Sequence, residues 1–411
     1  MRRVSAGPSR AKAACALCAA ALAIGAFEPA LATPALAAPA LAAPALAAPA
    51  LAAPALAAPA LAASALATPA LATPALAAPA LAASALAASA TAARGTATTP
   101  AAPGSPPAAG QPVMGQPVII DTDVGDDIDD AFALAIALQD PRLEVIGITT
   151  AWGDTRTRTL LVRRLLTTLG RQNVVVAQGP ATPSKTPFTQ RKWAMGALDT
   201  SAAPDAVEFI RDQVRKRPGE ITLIALAPLT NIEALQRRDP DAIHKLKQVA
   251  LMGGSIYAGY NLGGALPVAQ PSAEYNVVSA PQGLRILLES RIPVKMFPLD
   301  STQIKFDEVR RDRLFAYGSP ASDALTLLYH QWRLYNGWSI TPTLFDAVPV
   351  TSLLQPSTCP VTPMRITVDE HGYTRPVPGE ANAAVCLTVD ENATQRLIMD
   401  TLAPLPHDGA P

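Results

Sequence analysis

Histidine and cysteine are scarce in this chain, with four of each in 411 residues, and the formal net charge is zero. Cys15 and Cys18 lie in an N-terminal segment without the small-residue pattern of a lipoprotein cysteine, which argues against a lipid anchor. Cys359 and Cys386 remain, either as a disulfide or as two buried thiols. Beyond residue 116 the chain carries 28 basic and 32 acidic residues, so no basic face for nucleic acid or anionic lipid is implied. The apolar stretch from Ala13 to Phe27 is too short for a comfortable membrane span.

That stretch has the flanks of an export signal. Arg2, Arg3, Arg10 and Lys12 precede it and Ala30-Leu31-Ala32 follows, so residues 1–32 read as a secretory leader and the product as periplasmic or extracellular. From about residue 29 to 90 a Pro-Ala-Leu-Ala-Ala repeat runs with Ser and Thr substitutions. Its five-residue period matches neither helix nor strand, and its prolines remove helical hydrogen bonds. Residues 33–116 are therefore expected to be a disordered low-complexity tract and linker. The alanines of this tract raise the mean hydropathy to +0.21, which is no evidence for a membrane protein.

Residues 117–408 are expected to form one domain. Val118 to Ile120, Leu143 to Thr149, Val174 to Ala177, Ile221 to Leu226, Gln248 to Met252 and Val294 to Phe297 read as strands. Helical patterns fall near 128–138, 156–169, 203–215, 231–238 and 280–289. This alternation predicts an α/β fold with a mostly parallel central sheet and helices on both faces. Ligands of such sheets bind outside the carboxyl ends of the strands. Near the end, Met364 to Val368 and Tyr373 to Val377 read as a hairpin with Ala384 to Val389 as a third strand, a small antiparallel β element.

The densest signal follows the first strand: Asp121-Thr122-Asp123-Val124-Gly125-Asp126-Asp127-Ile128-Asp129-Asp130. Six carboxylates in one turn at the end of a buried strand repel each other and need a cation. Hard oxygen donors select Ca²⁺ or Mg²⁺.

The string resembles the opening motif of the inosine-uridine preferring nucleoside hydrolase family. Ala227-Pro228-Leu229-Thr230-Asn231, Met252-Gly253-Gly254, Ala273-Glu274-Tyr275-Asn276 and Phe345-Asp346-Ala347-Val348-Pro349-Val350 are similar to that family's later motifs in order and spacing. The resemblance implies a Rossmann-like nucleoside hydrolase fold, calcium-dependent cleavage of the N-glycosidic bond of ribonucleosides, and a small-molecule nucleoside as partner. A homo-oligomer stays open. It further implies Asp123, Asp130, Asp346 and the Leu226 carbonyl as metal ligands, with Asp123 also accepting the proton of the attacking water. Asp129 and Asn276 would hold ribose hydroxyls, and Glu274 the 5′-hydroxyl, with Asn261 a second candidate there. The string is longer than the family's by Asp126-Asp127-Ile128, so Asp127 is an alternative to Asp129. Asp154 stands where the family often has Asn, and reads either as a site residue or as a helix N-cap.

Phe345 occupies the place of a His that in many family members protonates the departing base. Of His244, His330, His371 and His407, only His330 lies in a helix leading toward Asp346. Trp193, with Trp332 or Trp338 opposite, is the candidate for stacking a purine; otherwise it packs on its own loop. Two other readings are weaker. A haloacid dehalogenase-type phosphatase wants Thr or Val where Gly125 stands and a later acidic pair. A non-catalytic nucleoside or ribose receptor fits the missing His but not the intact set of polar residues.

Overall fold

The computed structural model describes residues 115–261 and 270–405. The leader and nearly all of the Pro/Ala tract lie outside the described residues, as does the domain's end after residue 405.

Continuous apolar strands form the predicted sheet. Eight strands pair in the order β3 (Val175–Gln178), β2 (Leu143–Thr150), β1 (Gln116–Thr122), β4 (Thr222–Ala225), β5 (Gln248–Met252), β6 (Val294–Phe297), β10 (Ala383–Cys386) and β7 (Val361–Met364). All neighbours are parallel except β10 and β7. Side chains along β1 alternate between two cores, with Val118 and Ile120 in one and Ile119 in the other. The first core also holds α1 (Asp129–Gln139), α2 (Thr155–Thr168) and the helices Pro320–Asn336, Ala347–Leu354 and Glu391–Leu402. Helices Ala206–Lys216, Thr230–Arg238 and Pro281–Glu289 cover the other face. Strand order reverses between β1 and β4, so the ligand crevice of a doubly wound sheet opens there.

The C-terminal strand departs from expectation. Ile366–Val368 (β8) and Thr374–Pro376 (β9) do form an antiparallel hairpin. The third strand, β10, instead joins the central sheet beside β6, pairing Ala384 with Lys295 and Val385 with Met296. Ala383, Val385 and Cys386 are buried, and a two-stranded hairpin offers no such cover. Cys386 is bonded to Cys359, with Cα atoms 5.7 Å apart, which resolves the choice left open by the sequence.

Candidate active site

A buried helix carries acid into the interior. Every residue of α1 from Asp129 to Leu138 is buried, as expected of a helix apolar on all sides. Its first two residues therefore lie inside, at a helix N-terminus whose unpaired N–H groups and dipole favour anions. Thr122 Oγ1 donates to Asp130 at 2.5 Å. Asp346 is the N-cap of Ala347–Leu354 yet makes no side-chain capping bond, which leaves its carboxylate to the cluster. One oxygen each of Asp129, Asp130 and Asp346 lies within 4.8 Å of the other two.

These carboxylates line a cavity of about 250 Å³ together with Asp123, Leu226, Asn276 and Glu274. Asn276 Nδ2 donates to the Leu226 carbonyl at 2.7 Å and to Met252 O at 3.3 Å, which fixes the chain after β4. Glu274 caps its own short helix, accepting the Asn276 and Val277 N–H groups at 2.9 and 3.0 Å. It also accepts Gly254 N–H at 3.0 Å. Gly254 has φ +86°, a conformation that side-chain-bearing residues rarely adopt, so a substitution there would strain the turn that brings this donor to the carboxylate. Aromatic side chains complete the lining, among them Trp332, Tyr335 and Phe345.

Burial, followed by mutual repulsion, pushes Asp123, Asp129 and Asp346 well above the usual carboxylate range. Burial also raises Asp130 to about 7, against the Thr122 hydrogen bond. Two ionised carboxylates with oxygens no more than 4.8 Å apart repel by at least about 3.5 kcal/mol at an effective dielectric of about 20. Among the described residues no Lys or Arg lines the cavity, and Arg158, outside the lining, offsets this only in part. The donor set, all oxygen and converging at two helix N-termini, fits a hard divalent cation.

A pH dependence follows from the sign of these shifts. Asp130 at about 7, and Asp121 at about 6 through burial, are raised in the folded state. Their stabilisation is complete below the unfolded carboxylate value of about 4 and is lost as pH rises through the folded values. In chelator, stability, and with it the melting temperature, is expected to fall as pH rises from about 4 to 7. Added divalent cation should reduce that fall. Thermal melts with and without chelator check this, and a flat or rising profile in chelator would contradict it.

Three predicted residues do not reach the cavity. Asp154 caps α2, accepting Thr157 N–H at 3.0 Å, and pairs with Arg191 at 2.8 Å. Its N-cap alternative therefore describes its position. Asn261 lies outside the lining, with its backbone N–H donating to Gln303 Oε1 at 2.6 Å. Trp193, 5% exposed, is packed in the first core with Arg164 over its ring at 4.5 Å, so it presents no face to a base. His330 is exposed and packs on Phe315 and Tyr329, away from the cavity. Trp338 is exposed and stacks with Arg333. Asp127 does line the cavity, but its Oδ1 is bound to Ile128 N–H at 2.7 Å.

Sequence reasoning missed Arg158. The side chain is 1% exposed and pairs with Asp126 at 2.8 Å. It also donates to the Asp123 and Val124 carbonyls and, through Nε, to Trp152 O at 2.8 Å. A signal was present, because Arg158 falls on the stripe Leu161, Val162 and Leu165 at helical spacing, all buried. Thr189 and Gln190 secure the same loop from the other side, through the Asp126 carbonyl at 2.9 Å and the Gly125 carbonyl at 3.0 Å.

A doubly wound sheet with a carboxylate cluster at its switch point, and amide and carboxylate partners beside it, defines a hydrolase suited to a hard cation and a hydroxyl-rich ligand. More specifically, the chain belongs to the inosine-uridine preferring nucleoside hydrolase family, whose profile matches residues 118–396. Members of this family are N-glycosidases, and hydrolysis of ribonucleosides is the activity the membership carries. The chain is 32% identical over 261 residues to a probable uridine nucleosidase 2 of Oryza sativa subsp. japonica, covering 58% of this chain and 74% of that protein. It is 30% identical over 315 residues to a pyrimidine-specific ribonucleoside hydrolase of Citrobacter koseri, covering 69% of this chain and 97% of that protein. A solved plant nucleoside hydrolase superposes with a TM-score of 0.60 at 26% identity, covering 71% of this chain and 99% of that one.

Proposed function

We propose that the chain is an exported, calcium-dependent ribonucleoside hydrolase that releases free base and ribose, with uridine its preferred substrate. The observation that carries this reading is the buried cluster of Asp123, Asp129, Asp130 and Asp346 in one cavity with Glu274 and Asn276. Asp123, Asp130, Asp346 and the Leu226 carbonyl hold the ion, which when bound supplies Lewis acidity toward a water and the ribose diol. Asp123 accepts the proton of the attacking water. Asp129 holds a ribose hydroxyl, and Asn276 holds another through its amide oxygen, since its Nδ2 is committed to Leu226 and Met252. Glu274 faces the 5′-hydroxyl, and the base lies among Trp332, Tyr335 and Phe345.

Phe345 cannot protonate a leaving base. An unassisted departure is open to uracil, which leaves as an anion delocalised over two carbonyl groups. The pyrimidine-directed relatives support the same choice. Export is supported by the Cys359–Cys386 disulfide, a bond that persists in oxidising compartments.

Ribose release from uridine, cytidine, inosine and guanosine tests the assignment. Uridine is expected to turn over fastest, and uridine 5′-monophosphate to be refused by the acidic cavity. Faster cleavage of inosine than uridine would overturn the base preference, and turnover of the monophosphate would overturn the assigned orientation of Glu274.

A further inference from the structure

Tyr260 enters the cavity from a fixed backbone. Asp300 accepts the N–H groups of Ile256, Tyr257 and Ala258 at 2.8, 2.8 and 3.2 Å, and Gln303 binds Gly259 O at 3.1 Å. The phenol ring meets Phe345 edge-on, with centroids 6.1 Å apart and planes at 80°. Its oxygen accepts Tyr275 N–H at 2.9 Å.

The hydroxyl proton has no close partner of its own. It faces Glu274 Oε1 at 3.5 Å, longer than the roughly 2.5 to 3.0 Å of an O–H···O bond. Glu274 Oε2 is occupied by the Gly254 and Val277 N–H groups, whereas Oε1 takes only the Asn276 N–H at short range. A donor and an acceptor thus face each other across a separation neither closes. An oxygen placed about 2.8 Å from both would satisfy both. Burial, with the Glu274 carboxylate beside it, pushes the Tyr260 phenol up, so the proton stays on oxygen.

We propose that this position seats the 5′-hydroxyl of the ribose, which donates to Glu274 Oε1 and accepts from the Tyr260 hydroxyl. Tyr260 is then a specificity-determining residue that selects nucleosides with a free 5′-hydroxyl. The inference rests on the proposed function, in which Glu274 faces the 5′ end. It gives the second 5′ contact, for which the sequence offered Asn261, to the neighbouring side chain that lines the cavity.

The test compares kcat/KM of the intact enzyme and Tyr260→Phe on uridine and 5′-deoxyuridine, or on inosine and its 5′-deoxy analogue should inosine turn over faster. The variant is expected to lose about tenfold on the 5′-hydroxylated substrate, the scale of one hydrogen bond. On the deoxy analogue it should change by less than about twofold. Both substrates sample the same preparation, so any loss of folded protein, or of the Tyr275 contact, cancels in the ratio. Equal losses on both substrates, or an unchanged ratio, would overturn the proposal. Turnover by the intact enzyme in the same assay reports separately on the proposed function.

Discussion

Asp123→Asn is expected to lower kcat for uridine by about 10³-fold or more, since it removes both a general base and a cation ligand. The fold should survive, and without cation it should gain stability. Asp123 is buried and repelled by Asp130 and Asp126, with Arg158 opposing them. The neutral amide relieves that repulsion at nearly constant volume. Calcium at 100 times its dissociation constant stabilises a native-only binder by about 2.7 kcal/mol, and most of that shift should vanish in the variant. Calorimetric calcium titration together with thermal melts separates these effects. A variant that binds calcium as tightly as the parent would remove Asp123 from the ligand set, and one that melts lower in chelator would show that its carboxylate is not repelled.

Arg158→Met should have the larger effect on stability. The guanidinium is the buried partner of Asp126 and also satisfies carbonyls of the acidic loop, so its loss strands one charge and several acceptors. Breaking a buried pair from one side costs about 3–5 kcal/mol. For a domain of this size that lowers the melting temperature by on the order of 10 °C. Asp126→Asn in the same chain should recover part of the loss, because the stranded charge is then gone. A single variant melting within about 2 °C of the parent would show that the loop holds its shape without the pair.

The sequence made some of this site legible and hid the rest, for physical reasons. Strand ends announce themselves, because a continuous apolar run such as Val118 to Ile120 is followed at once by the residues it delivers to the rim. Asp123, Leu226, Glu274, Asn276 and Asp346 all reach the cavity, each a short distance after a strand or at the start of a helix. Loop positions depend on distant bonds. Trp193 lies on a segment whose path is set by Gln190 bonding to the Gly125 and Asp127 carbonyls, contacts no local pattern encodes. Tyr260 is directed by Asp300, some forty residues further along the chain. Asp154 carried both of its readings in one residue type, and only the geometry of α2 separated them. For β10, the buried edge offered by β6 determined its partner, together with the bond from Cys386 to Cys359. Turn chemistry alone grouped it with the hairpin.

Ribose release from uridine by chelator-treated enzyme, followed as calcium is added back, bears most directly on the central claim. Turnover should be absent in chelator, return saturably with calcium, and stay about 10³-fold or more below the parent in Asp123→Asn at every calcium concentration. Full turnover in chelator would contradict the account.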